Sequence, residues 1–358
     1  MKVFVVIPKA FAGCGFYRQY QPHNRLAKFK DVEITMGQGI FNYDDEFGIE
    51  ADIVQFHKGY IDIRAINACK ERGIVTIGDF DDWWNLDSEH LLYKNYLKDK
   101  TPAQLTELLR AVDYVTCTTE LLAGEIRKYN PNVVVLQNAM DMDYAGCKIE
   151  RFKEDKTIFG YVGGSCHDKD VELLRGLNNK MSHYKNYKLR LMGMDGSPVY
   201  NHYADVMSDS GRLAATHFDW AEKADIWNYP KFYNYMDVSL VPLVNNKFNS
   251  MKSELKLIEA GFFHKAVVVS NVEPYKGLIK HKVNAMVVNK PTDWYKHCKY
   301  LLDNPEAIKD LGEALYETVQ PYHIDEVNKR RYKFYTYVLI KRNSYRSIGY
   351  SGLQAVYA

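Results

Sequence analysis

The sequence predicts an α/β chain of two domains, each built on a parallel sheet. Short β-branched apolar runs alternate with stretches of helical periodicity. The 358 residues exceed what one ordinary core organises. Residues 144–156 turn polar and charged without a period, which sets a boundary between domains at 1–150 and 151–320. A closing segment, 321–358, is expected to pack back on the first domain as a helix. With 46% hydrophobic and 26% charged residues the chain is globular rather than disordered. A formal net charge of +2 excludes a global pull toward nucleic acid or membrane and leaves only local patches.

No apolar run approaches the roughly 18 residues of a membrane span. The apolar start is too short for a signal peptide and reads as a strand. The six cysteines are scattered, with no CxxC pair. They predict free thiols in a reducing cytoplasm and support neither zinc nor disulfides.

In the first half, residues 2–7 form a strand, and the loop after it carries Gly13 and Gly15 before a helix near 20–28. Glycines there permit close approach of backbone to a ligand, although the third glycine of a dinucleotide fingerprint is missing. Tyr17 and Arg18 follow as ligand contacts or plain surface residues. Strands are expected at 52–56, 74–77, 113–118 and 133–136, with a helix at 120–129. His57 and Lys58 stand at the carboxyl end of the second strand, the edge along which open α/β sheets bind ligands. Asp79, Asp81, Asp82, Trp83 and Trp84 come just past the third. Such a cluster could bind a metal, act as a general base, position sugar hydroxyls with the indoles stacked on an acceptor, or merely cap the next segment.

The second half opens with a strand at 157–162, joined by GGSCHDKD, residues 163–170, to a helix starting near Asp168. Two glycines, Ser165 and His167 between strand and helix form a potential phosphate cradle. Further strands are expected at 187–192, ending near 220, at 238–241, 266–270 and 285–288, and helices at 230–235, 292–302 and 306–317. The stretch 247–275 reads as loop, helix, buried strand and loop. Asn249 or Ser250 is the expected N-cap, and Lys247 and Lys252 add charge at an anion-binding end. After Val327 there is no acidic residue, and Lys329, Arg330, Arg331, Lys333, Lys341, Arg342 and Arg346 are interleaved with tyrosines. That pattern suits a closing helix with solvated charges, or contact with nucleic acid or an anionic membrane surface.

The order of these motifs resembles the two-domain glycosyltransferases of the GT-B fold, in particular the retaining family 4. VTCTTELLAGEIRKY and VVVLQNAMDMD in the first half, and IFGYVGGSCHDKDVELL, DVSLVPL and the stretch 247–275 in the second, fall in register with the family's successive motifs. A short bacterial and phage-type sub-branch is similar in its KS and LKxxE pattern, here Lys252-Ser253 and Leu255-Lys256 to Glu259, and in Asp79, Asp81, Asp82 and Trp84. The departures are Gly164 where the family has arginine, and Met251 in place of the first of two glutamates.

The resemblance implies two Rossmann-like domains facing each other across a cleft, with a C-terminal helix crossing back. A nucleotide sugar, a UDP-sugar by default, would lie on the second domain. Gly163, Gly164, Ser165, His167, Ser250 and Ser253 would lie along its diphosphate, with Gly15 approaching from the first domain. Glu259 would accept the ribose hydroxyls. Lys169 and Lys252 would neutralise the leaving diphosphate, so no metal is required, though Asp79 and Asp81 keep one possible. Tyr17, Arg18, Asp79, Trp83 and Trp84 would meet the acceptor, a glycan or a hydroxylated DNA base. The leaving phosphate could take the acceptor proton, with His57 or Asp81 as the alternative base. A nucleotide-sugar epimerase of the same fold and a non-catalytic nucleotide-sugar-binding protein are the competing expectations.

Overall fold

The computed structural model describes residues 1–8, 13–38, 49–59, 61–88, 90–150, 152, 154–211 and 214–348. The chain divides into two compact units: Met1–Leu86 with Leu92–Ala139 and the chain from Ile324 onward, and Asp87–Leu91 with Met140–His323.

The first unit is a six-stranded, wholly parallel sheet of β1 (Lys2–Ile7), β2 (Glu33–Gln38), β3 (Ile53–His57), β4 (Val75–Phe80), β5 (Tyr114–Cys117) and β6 (Val133–Val135), in the order β2-β1-β3-β4-β5-β6. Central β3 and β4 are buried at every residue, as strands covered on both faces must be, which is why they read as continuous apolar runs. The edge strand β2, EITMGQ, escapes sequence detection because only one neighbour covers it and its residues alternate in exposure. The long helix Ile324–Ile348 packs Phe334, Tyr335 and Val338 into the same core as Val3, Val5, Ile53 and Ile77.

The second unit repeats the plan with β7 (Thr157–Val162), β8 (Tyr187–Met194), β9 (Phe218–Glu222), β10 (Val238–Val241), β11 (Ala266–Ser270) and β12 (Met286–Val288), ordered β12-β11-β10-β7-β8-β9 and all parallel. Its core joins Phe159, Leu189, Leu240 and Val268 of the sheet to Leu301 and Leu311 of the helices Pro291–Asp303 and Pro305–Val319. The α/β expectation, two parallel sheets with helices, is therefore met. No helix among the described residues is long and apolar enough to cross a membrane.

Two local expectations are corrected. Residues 13 and 14 are already helical and Gly15 opens a π-helix, Gly15–Tyr20, in which it is buried. Its backbone is consumed by that helix rather than presented to a ligand. In the stretch 247–275 the expected single helix is two, Lys247–Ser250 and Leu255–Phe262. The N-cap of the first is Asn246, whose Oδ1 accepts from the backbone N–H of Asn249 at 2.7 Å.

Candidate functional site

In the second unit the groups of interest gather at the carboxyl end of β7. Gly163 is closed in: a Cβ built on it would lie 2.5 Å from the Tyr161 hydroxyl and 2.7 Å from the Lys256 ammonium. Lys256 donates to the Val162 carbonyl at 2.7 Å and lies 4.8 Å from the centre of the Tyr161 ring. Burial, with Lys252 nearby, draws its pKa down to about 8, against the pull of Asp170 and Glu259. The Tyr161 hydroxyl is buried and has no hydrogen-bond partner among the described residues. The loop after Gly163 is fixed by two further tyrosines. Tyr200 donates to the Gly163 carbonyl at 2.7 Å and Tyr203 to that of Gly164 at 3.1 Å.

Asp170 ties this loop to the one after β10. It accepts from the Val244 backbone N–H at 2.7 Å, from Asn249 Nδ2 at 3.1 Å and from His167 Nδ1 at 2.6 Å. His167 is thus half of a structural pair. Burial, with the charges of Lys256 and Lys252, holds its pKa at about 3 and keeps the ring neutral. Glu259 is buried, and the Tyr233 hydroxyl donates to its Oε2 at 2.8 Å. Beside this group a cavity of about 250 Å³ is lined by His90, Cys166, Asp168, Lys169, Phe248 and Asn249, among others.

Of the residues expected at a donor site, Gly163, Gly164, Ser165, His167 and Lys169 follow one another along one loop and helix. Gly164, Ser165 and Lys169 are exposed. Lys252 stands over the Phe248 ring at 5.0 Å, Ser250 donates to the Lys247 carbonyl at 2.7 Å, and Ser253 lies ahead of Leu255–Phe262. The expected helix-end anion sites are weaker than the spacing suggested. Asp168–Glu172 and Lys247–Ser250 have only five and four residues, too few aligned peptides for a sizeable dipole. Lys256 and Tyr161 were missed by sequence reasoning, though the LKxxE spacing placed Lys256 on the turn before Glu259. Met251 is buried in the core, as a thioether standing where the resembling family has a carboxylate would be.

In the first unit, Arg18 and Asp79 are not surface ligands. They form an ion pair with side chains 1% and 0% exposed, with guanidinium nitrogens 2.7 and 3.0 Å from the carboxylate oxygens. Thr116 donates to the same carboxylate at 2.6 Å, while Arg18 also reaches the Leu136 carbonyl at 2.7 Å and Asn138 at 3.2 Å. Asp79 lies inside β4 rather than past it, paired with Thr116 on β5, and the Arg18 charge holds its pKa below the usual range despite burial. Tyr17 is buried against Phe16. Trp84 is buried between Phe80 and Tyr129 and donates to the Thr106 hydroxyl at 3.0 Å. The acceptor-contact reading of Tyr17, Arg18, Asp79 and Trp84 is corrected: all four are committed to the interior. Trp83 is only partly buried.

A second cluster does sit at the carboxyl ends of β3 and β4. His57 Nε2 donates to Asp81 Oδ1 at 3.0 Å, the Cys14 thiol contacts Asp81 Oδ2 at 2.7 Å, and Lys58 bridges to Asp81 Oδ1 at 2.7 Å and to Asp82. The charges of Lys58 and His57 outweigh burial and hold the Asp81 carboxyl well below its usual range.

No family model and no curated protein matches the chain. Solved structures do. Sucrose-phosphate synthase from Thermosynechococcus elongatus superposes with a TM-score of 0.68 at 12% identity, covering 95% of this chain and 99% of that one. A glycosyltransferase from Rickettsia africae ESF-5 gives 0.66 at 13%, covering 94% and 98%. Anabaena HepE, solved in complex with UDP and glucose, gives 0.61 at 11%, covering 94% and 99%. At these identities the likeness shows the fold: the two parallel six-stranded sheets are the two Rossmann-like domains of the GT-B fold.

Proposed function

We propose that the chain is a retaining glycosyltransferase that moves a sugar from a nucleotide sugar, by preference a UDP-sugar, to an acceptor hydroxyl on a glycan or a hydroxylated DNA base. The observation that carries this reading is the end of β7, where the buried Tyr161 hydroxyl lacks a partner among the described residues beside the Lys256 ammonium. A buried donor without an acceptor next to a partly desolvated cation marks a place for an anionic oxygen. A diphosphate along Gly163, Gly164 and Ser165 supplies it, with Lys169 and Lys252 as further cations. Glu259, fixed by Tyr233, takes the ribose diol. The complexes of HepE with UDP and UDP-glucose support the choice of uridine.

On this reading the residues do electrostatic work. Lys256, Lys169 and Lys252 stabilise the diphosphate as the glycosidic bond breaks. The departing phosphate oxygen accepts the acceptor proton on the face the leaving group vacates, which gives retention. His57 and Asp81, joined at 3.0 Å, are the alternative proton acceptor.

The test is a thermal-shift screen across nucleotide sugars, followed by transfer assays with the hit. A ligand that binds only the folded chain raises its melting temperature. Lys256→Ala is expected to lower kcat/KM on the order of a hundredfold, and Lys169→Ala to abolish transfer with the fold intact. With its pKa at about 8, Lys256 loses its charge as pH rises through that value, so kcat/KM for the donor falls on the alkaline side. Lys256→Arg removes that limb. Unchanged turnover by Lys256→Ala would overturn the diphosphate assignment.

A further inference from the structure

Three donor atoms from distant parts of the first unit converge. Cys14 Sγ, His57 Nε2 and an Asp81 carboxylate oxygen all lie within 4.8 Å of one another, and no other such group of three or more exists among the described residues. Cys14 comes from the helical residues that lead directly into the π-helix, His57 from the last position of β3, and Asp81 from the residue after β4. The pairing of His57 with Asp79 across the two strands holds the second and third ligands in register. We propose that Cys14, His57 and Asp81 form a binding site for a zinc-type divalent transition metal.

The donor set selects the ion class. One thiolate sulfur, one imidazole nitrogen and one carboxylate oxygen suit zinc or its tetrahedral analogues and are poor ligands for magnesium or calcium, which want oxygen alone. Three protein ligands leave a fourth tetrahedral position for water. Cys14 is the exposed member of the three, but burial of its thiol beside Asp81 pushes its pKa well up, so metal binding has to displace that proton.

Lys58 is the obvious objection, because its ammonium sits 2.7 Å from the Asp81 oxygen that His57 also contacts. The charges nevertheless close. A dication is neutralised by the Cys14 thiolate and the Asp81 carboxylate, while Lys58 keeps its bridge to Asp82. Metal entry therefore exchanges one of the two contacts of Lys58 without stranding a buried charge. The sequence hides such a site because its ligands come from three segments, with no CxxC or HxxxH spacing to announce it. The inference concerns binding and does not rest on the transferase reading. If both hold, metal occupies the atoms of the alternative proton acceptor.

The test uses the full-length protein stripped with EDTA and titrated with zinc against a chromogenic chelator. One equivalent is expected to bind. Cys14→Ser and His57→Ala are each expected to weaken binding at least about tenfold, while Cys166→Ser leaves it unchanged. Loading with cobalt should give a thiolate-to-cobalt charge-transfer band that is lost in Cys14→Ser. Absence of stoichiometric binding, or undiminished affinity in both ligand variants, overturns the proposal. Should the variants fail to fold, the cobalt spectrum of the unsubstituted protein decides, and a missing charge-transfer band overturns it equally.

Discussion

Removing the Arg18 side chain strands the wholly buried Asp79 carboxyl, with only Thr116 and Gln19 to replace a bidentate guanidinium. Loss of one partner of such a pair costs about 3–5 kcal/mol. Arg18→Met is therefore expected to lower stability by that amount in urea titrations, with or without any ligand. Trp84→Ala should behave likewise, at about 3–5 kcal/mol, because its ring fills core rather than a binding surface. Sequence reasoning could not see this. An arginine, an aspartate and an indole near strand ends are equally good ligand contacts and core members until the partner face is known. A third residue makes the pH response specific. His23 is buried, its Nδ1 donates to the Gln19 carbonyl at 2.6 Å, and burial together with the Arg331 charge holds its pKa at about 3. In the unfolded chain the ring takes up a proton near 6.5, so only the unfolded state gains protons between those values. Stability is full above about 6.5 and falls with pH by up to about 1.4 kcal/mol per unit. His23→Gln should show a shallower loss of melting temperature between pH 6.5 and 4.5, above the range where Asp79 protonates.

Among the elements, the helices Leu255–Phe262 and Pro305–Val319 meet through glycine. A Cβ at Gly261 would lie 2.7 Å from a Val319 methyl, and one at Gly312 would run into the His264 carbonyl, which is backbone and cannot turn aside. Gly312→Ala is expected to destabilise by about 1–3 kcal/mol, more than Gly261→Ala, since side chains can shift where backbone cannot. Thermal melts of the two variants check the order. Most strands were legible because buried parallel strands carry the continuous apolar runs of β4 and β11. The break between Lys247–Ser250 and Leu255–Phe262 was not. Helical spacing continues across residues 251–254, which lie outside both helices in the structure. The site was legible in outline, from the glycine loop after β7 and from Glu259. What pins it, the bonds of Tyr200 and Tyr203 to the loop and of Asp170 to Val244 and Asn249, spans 36 to 79 residues of chain that no spacing announces.

Across the whole molecule, the basic segment at the end of the chain has two parts. Arg331 is buried, and Arg342 binds Asp52 at 3.1 Å, so both serve the first unit. Lys333 and Lys341 are exposed beside Tyr337 and Ile340. Any electrostatic contact with nucleic acid or lipid falls to the exposed members. Lys333→Glu with Lys341→Glu should weaken salt-sensitive binding to DNA or anionic vesicles while leaving the melting temperature within about a degree, since exposed substitutions rarely exceed ±0.5 kcal/mol. Deleting the helix would not test this, because Phe334, Tyr335 and Val338 leave with it.

The placement of that helix also bears on how the protein is made. Val3 and Val5, which leave the ribosome well before the second unit, share a core with Tyr335 and Val338, which leave it afterwards, so the first sheet waits for that helix before its apolar face is covered. The intervening unit needs nothing after His323 and can close while the earlier one is still incomplete. Chain elongation at roughly 5–20 residues per second sets the wait at tens of seconds. Over that interval the first sheet is a client for chaperones, although its strands precede the second unit in the chain.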